Sequence, residues 1–134
     1  MKMKNNPFKK LSGAILVVDD EPMILQMFSF LLEEVGCRAT VCSDPRKALA
    51  IFRQAPQTFD LVLTDQSMPE LSGLELAREL LAISPGLPII LLSGHADLTD
   101  KKEILAAGIK EVLAKPVATA VLLETLNRFL PPAP

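Results

Sequence analysis

From Ala14 to Leu130, short apolar runs alternate with stretches in which apolar residues recur every three or four positions. That alternation marks repeated strand–helix units around a parallel sheet and predicts an α/β fold of five strands and five helices. The run Ile15-Leu16-Val17-Val18 has no polar member, as a central strand covered on both faces requires, and Asp19-Asp20 ends it. A helix is predicted from about Pro22 to Val35, with Ile24, Met27, Phe28, Leu31, Leu32 and Val35 on its apolar face and Gly36 as terminator. Arg38 to Ser43 reads as a weaker, outer strand. Asp44-Pro45 then supplies an N-cap and a first-turn proline for a helix carrying Ala48, Leu49 and Phe52, which ends in the Gln54 to Thr58 segment.

Leu61-Val62-Leu63 is the next buried strand, closed by Thr64-Asp65. A turn containing Pro69 and Gly73 leads into a helix through about Leu81. Pro88 to Leu92 forms a fourth strand ending in Ser93-Gly94, after which Asp97 or Thr99 can cap a helix that stops at Gly108. Val112-Leu113-Ala114 is the last strand and ends in Lys115-Pro116. A final helix from about Thr119 to Leu130 places Val121, Leu122, Leu126 and Phe129 at helical spacing, and the prolines from Pro131 cannot continue it.

The length of 134 residues, 49% hydrophobic and 22% charged, fits one globular domain, bounded as a leader over 1–12, a body over 13–130 and a proline-rich tail over 131–134. A net charge of -2, with basic residues scattered, argues against direct nucleic-acid or membrane binding. No apolar run nears the roughly 20 residues of a membrane-spanning helix and no signal-peptide core is visible, so a cytoplasmic location is expected. Cys37 and Cys42 flank one short strand, about 16 Å apart when extended, whereas a disulfide tolerates about 7 Å. Both read as half-buried small residues.

In an open parallel sheet, ligands bind outside the carboxyl ends of the strands, and here those ends carry Asp19-Asp20, Asp65, Ser93 and Lys115. Each could singly be a helix cap, an ion-pair partner or a turn residue. Together they form an acidic cluster that repels itself unless a cation is present, and its oxygen ligands point to Mg²⁺. Such a site invites phosphoryl chemistry, with one carboxylate as nucleophile and Lys115 and Ser93 on the phosphoryl oxygens.

Val17-Val18-Asp19-Asp20-Glu21-Pro22, Leu63-Thr64-Asp65-Gln66-Ser67-Met68-Pro69 with Gly73, Leu92-Ser93-Gly94 and Ala114-Lys115-Pro116 stand in the order found in bacterial two-component response regulators. From about Ala14 to Leu130 the chain resembles their receiver domains. The resemblance implies a flavodoxin-like, doubly wound parallel sheet of strand order 2-1-3-4-5. It implies phosphorylation of Asp65 in a Mg²⁺-dependent reaction, with the side chains of Asp20 and Asp65 on the metal, Asp19 reaching it through water, and Ser67 adding its backbone carbonyl. Ser93 matches the switch hydroxyl and Lys115 the amine that pairs with the phosphoryl group, with a cis bond before Pro116. The implied partners are a histidine kinase or phosphotransfer protein and a downstream protein effector. The implied chemistry is self-catalysed transfer and slow autodephosphorylation rather than turnover of a substrate.

Two departures stand out. Val112 occupies the position where the family usually has an aromatic switch residue, so coupling from Ser93 to the last helices must use another element. His95 and Ser67 resemble the variable positions that tune phosphoryl lifetime, although His95 also reads as a plain loop residue. Rival readings are a flavin-binding flavodoxin, a Mg²⁺-dependent phosphohydrolase, and a docking module whose output ignores phosphorylation. The first lacks a phosphate-cradling loop after its first strand, where Asp19-Asp20-Glu21 would repel a phosphate, and the second lacks a separate general acid and a cap. The signal is expected to pass to another protein, or the chain to be a portion of a hybrid kinase.

Overall fold

In this computed structural model, residues 10–94 and 98–132 are described. The strands are β1 (Gly13–Val18), β2 (Cys37–Cys42), β3 (Leu61–Asp65), β4 (Ile89–Ser93) and β5 (Glu111–Ala114). The helices are α1 (Pro22–Glu34), α2 (Pro45–Gln54), α3 (Gly73–Ile83), α4 (Leu98–Ala106) and α5 (Thr119–Phe129), with one 3₁₀ turn at Pro56–Thr58. All neighbouring strands pair in parallel, in the order β2-β1-β3-β4-β5, so the chain steps outward from β1 in one direction and then in the other. This is the doubly wound order that the resemblance implied, and the outer strand expected over Arg38 to Ser43 is the edge strand β2, which runs one residue earlier.

Alternation along the strands divides the core into two layers. Ile15, Val17, Leu61, Leu63, Ile90 and Leu92 face α1 and α5, meeting Phe28, Leu32, Leu122 and Leu126. Leu16, Val18, Val62, Ile89 and Leu91 face the other way, toward Phe52 of α2, Leu76 and Leu80 of α3 and Ile104 of α4. Both layers are built from hydrophobic side chains, and Phe52 stacks on Phe59 with centroids 6.0 Å apart.

Local signals work as the sequence suggests at several ends. Asp44 caps α2 by accepting from the Arg46 N–H at 2.9 Å, and Gly36 follows α1 with a φ of +105°, a conformation glycine adopts without strain. Other expectations need correction. In α1 the buried stripe is Leu25, Phe28, Leu32 and Val35, while Met27 turns outward at 51% exposure, because the stripe centres on Phe28 and Leu32. In α5, Leu123 is buried and Val121 exposed. Gly73 is the first residue of α3 rather than a turn residue, with Ser72 and Glu75 forming a capping box ahead of it. The α4 helix begins at Leu98, so Thr99 lies within it; Asp97 and His95 lie outside the described residues.

Both cysteines are free and buried rather than half-buried. Burial, with Asp60 nearby, pushes the Cys37 thiol up to about 11, which leaves it inert as a nucleophile at neutral pH. Leu11, which the sequence groups with the leader, is buried, and its N–H donates to the Val35 carbonyl at 2.9 Å. Lys10, Leu11 and Ser12 line one cavity together with Asn127, Leu130 and Pro131, so the segments entering β1 and leaving α5 run side by side.

Candidate functional site: an acidic pocket at the strand ends

The carboxyl ends of β1, β3, β4 and β5 converge on one edge of the sheet and deliver the predicted residues to it. Asp19 follows β1, where its N–H donates to the Cys42 carbonyl at 3.2 Å and its Oδ1 accepts from the Glu21 N–H at 2.9 Å. Those bonds hold the β1–α1 turn and aim Asp20 at the solvent side of the pocket. Asp65 ends β3 opposite Leu92, and Ser93 ends β4 opposite Ala114. The Lys115 N–H donates to the Ser93 carbonyl at 2.9 Å, tying the end of β5 to that of β4. The Lys115–Pro116 bond is cis, as the resemblance implied.

Carboxylate oxygens of Asp19, Asp20 and Asp65 lie within 4.8 Å of one another. Asp19 and Asp65 are buried, at 1% and 5% exposure, and Asp20 is exposed. Lys115 Nζ stands 3.4 Å from Asp19 Oδ2 and 3.3 Å from Asp65 Oδ1, bridging the two. Burial, then the Asp19 charge, holds the Asp65 carboxyl above the usual carboxylate range against the pull of Lys115. Burial by itself would lower Lys115, but Asp19 and Asp65 together outweigh it and raise its pKa, so the amine stays charged. One ammonium therefore faces three carboxylates, and the pocket keeps a negative excess.

That donor set fits a hard divalent cation: the ligands are oxygens on converging side chains, with no thiolate or imidazole among the described residues near them. Ser67, two residues beyond Asp65, is exposed beside the pocket, and Met68 is buried under the loop. Ser93 is 9% exposed. Val112 is half-buried on β5 and packs on the α2–α3–α4 layer, so its position is occupied by a small aliphatic side chain. Sequence reading missed Gln66, whose backbone and side chain both bond to neighbours of the site; a lone glutamine after an aspartate carries no pattern that would single it out.

A doubly wound sheet with clustered aspartates at its switch point and a lysine bridging them defines a class of signalling domain. A profile of the response regulator receiver domain matches residues 15–127, and the chain belongs to that family. The probable transcriptional regulatory protein TcrX of Mycobacterium tuberculosis is 34% identical over 116 residues, which are 87% of this chain and 49% of that protein. The signal transduction histidine-protein kinase BarA of Escherichia coli K12 is 34% identical over 125 residues, 91% of this chain and 13% of the kinase. The chain thus spans about half the length of the first and about an eighth of the second. Among solved structures, a receiver domain protein from Clostridium thermocellum superposes with a TM-score of 0.82 at 39% identity, covering 86% of this chain and 91% of that one. The chemotaxis protein CheY4 of Vibrio cholerae gives 0.82 at 33% identity, covering 90% of this chain and 100% of its own.

Proposed function

We propose that Asp65 is the phosphoacceptor of this receiver and that phosphorylation changes its surface for a protein partner. The observation that carries this is the burial of Asp65 between Asp19 and Lys115, with Asp20 completing an oxygen cluster. A carboxylate oxygen of Asp65 attacks phosphorus in a phosphohistidine or a small phosphodonor. The new O–P bond replaces the donor's bond, and the leaving group departs with its electron pair. Asp20, Asp65 and the Ser67 carbonyl would hold Mg²⁺, with Asp19 reaching it through water; the ion supplies charge neutralisation between the carboxylates and the incoming phosphoryl oxygens.

Lys115 already lies within ion-pair distance of Asp65 and can follow the phosphoryl oxygens once they are bound. Ser93 at the end of β4 is the hydroxyl that moves toward them. A two-state surface around the last helices follows, and complete switching needs about 5.5 kcal/mol of differential stabilisation. His95 and Ser67 tune the lifetime, and Val112, lacking a ring, leaves the coupling to packing under α4. Met23, Met27 and Phe30 form an exposed apolar stripe on α1, whose first turn adjoins Asp20. That stripe supports contact with a histidine kinase or phosphotransfer protein.

Intact mass after incubation with acetyl phosphate tests the reading. Wild type with Mg²⁺ gains one phosphoryl group, while wild type without Mg²⁺ and Asp65→Asn do not. If neither acetyl phosphate nor a panel of phosphorylated histidine kinases labels the wild type, the phosphoryl switch is wrong. Equal partner affinity of wild type and Asp65→Asn would instead favour the docking module.

A further inference from the structure

The loop between Asp65 and α3 closes on a single residue. The Gln66 N–H donates to the Leu92 carbonyl at 2.8 Å, continuing the β3–β4 ladder past Asp65, and the Gln66 carbonyl accepts from the Gly73 N–H at 3.0 Å. Its side chain adds a third bond, with Oε1 accepting from the Leu74 N–H at 2.8 Å. Strand end and helix start are thereby joined at one neck, and residues 67–72 form a ring whose two ends cannot separate without breaking these bonds. At the neck Gly73 lies so close to the strand that a Cβ there would drive into the Asp65 carbonyl oxygen and the Leu91 side chain.

Any residue except proline at position 66 could supply the two backbone bonds. Only the side-chain bond depends on identity, and it needs an acceptor at the end of two methylenes. The N–H groups of Gly73 and Leu74 are both taken by Gln66, and that of Glu75 by the Ser72 hydroxyl at 3.1 Å. The start of α3 is therefore satisfied internally, which makes it a fixed point from which the loop is hung. The first residue hung from it is Ser67.

We infer that Gln66 is a positioning residue whose amide oxygen, through Leu74, holds the Ser67 carbonyl and the Asp65 carboxylate in register to receive a divalent cation; this rests on the receiver reading above. Outer-shell groups of this kind change metal affinity by about 10–100-fold when removed. Gln66→Met keeps the length and volume but has no acceptor, whereas Gln66→Glu keeps the acceptor.

Calorimetric titration of the full chain with Mg²⁺, alongside amide exchange at Leu74 and thermal melting, separates positioning from general stability. Gln66→Met should weaken Mg²⁺ by about tenfold or more and expose the Leu74 amide, while melting only a few degrees lower. Gln66→Glu should restore both Leu74 protection and Mg²⁺ affinity. Wild-type Mg²⁺ affinity in Gln66→Met, with the Leu74 amide exposed, overturns the inference alone. Absence of Mg²⁺ binding by the wild type overturns the receiver reading and this inference with it.

Discussion

At Asp65, burial and a neighbouring carboxylate both oppose ionisation, and Lys115 offsets them only in part. Because the folded-state pKa is raised, the fold favours the protonated form. The stability this contributes is present below the unfolded-state pKa and is lost as pH rises through the folded one. In chelator at about pH 7, Asp65→Asn should therefore melt above wild type, and the gap should close toward about pH 4. Melting curves across that range check it; a gap of constant size would mean that the carboxylate is not the cause. That Asp19, Asp20, Asp65 and Lys115 meet at one edge was legible because each closes a mostly apolar strand, where a polar group suits a strand end. The bridging of Asp19 to Asp65 by Lys115 was not, since it depends on register between strands 46 or more residues apart in sequence.

Among the elements, α3 shows how tightly the frame is built around Asp65. Gly73→Ala would push its new methyl into the Asp65 backbone, at a cost of about 1–3 kcal/mol, and would slow phosphorylation by displacing the carboxylate. Gly86→Ala, where a Cβ meets nothing within 4 Å, is the control and should leave both unchanged. Urea unfolding and the acetyl phosphate reaction read the two effects; equal behaviour of the two variants would show that the close approach at Gly73 is not restrictive. In the same layer, Phe52→Ala should cost about 3–5 kcal/mol, because the ring is fully buried against Phe59. Strand and helix identities followed from hydrophobic period. The centre of each buried stripe did not: Met27 and Val121 fit the helical spacing, but the helix axis relative to the sheet decides that Leu25 and Leu123 go inside. Likewise Gly73 reads as part of the turn before the helix, although Ser72 and Glu75 carry the spacing of a capping box that makes it the first helical residue.

For the molecule as a whole, three carboxylates in one pocket leave the metal-free fold under electrostatic load, so a cation should stabilise it by simple linkage. Free Mg²⁺ at tenfold its dissociation constant would add about 1.4 kcal/mol. For a domain of this size that raises the melting temperature by roughly 4–6 °C. Differential scanning calorimetry with and without Mg²⁺ checks this, and the shift should vanish in a double Asp20→Ala, Asp65→Ala variant. The alternation of buried runs and helical stretches gave the α/β class, whereas the strand order came only from the resemblance to receiver domains and is borne out by the pairing. The placement of the two ends of the body has a different consequence. The chain enters β1 and leaves α5 at one pole, where Lys10 and Leu11 lie beside Leu130 and Pro131, while the aspartates occupy the other. Both leads of the module thus attach on the side away from its working end, like a lamp wired at the base. A domain so wired can be set within proteins as different in length as a compact regulator and a large kinase without the host covering the face that carries the aspartates.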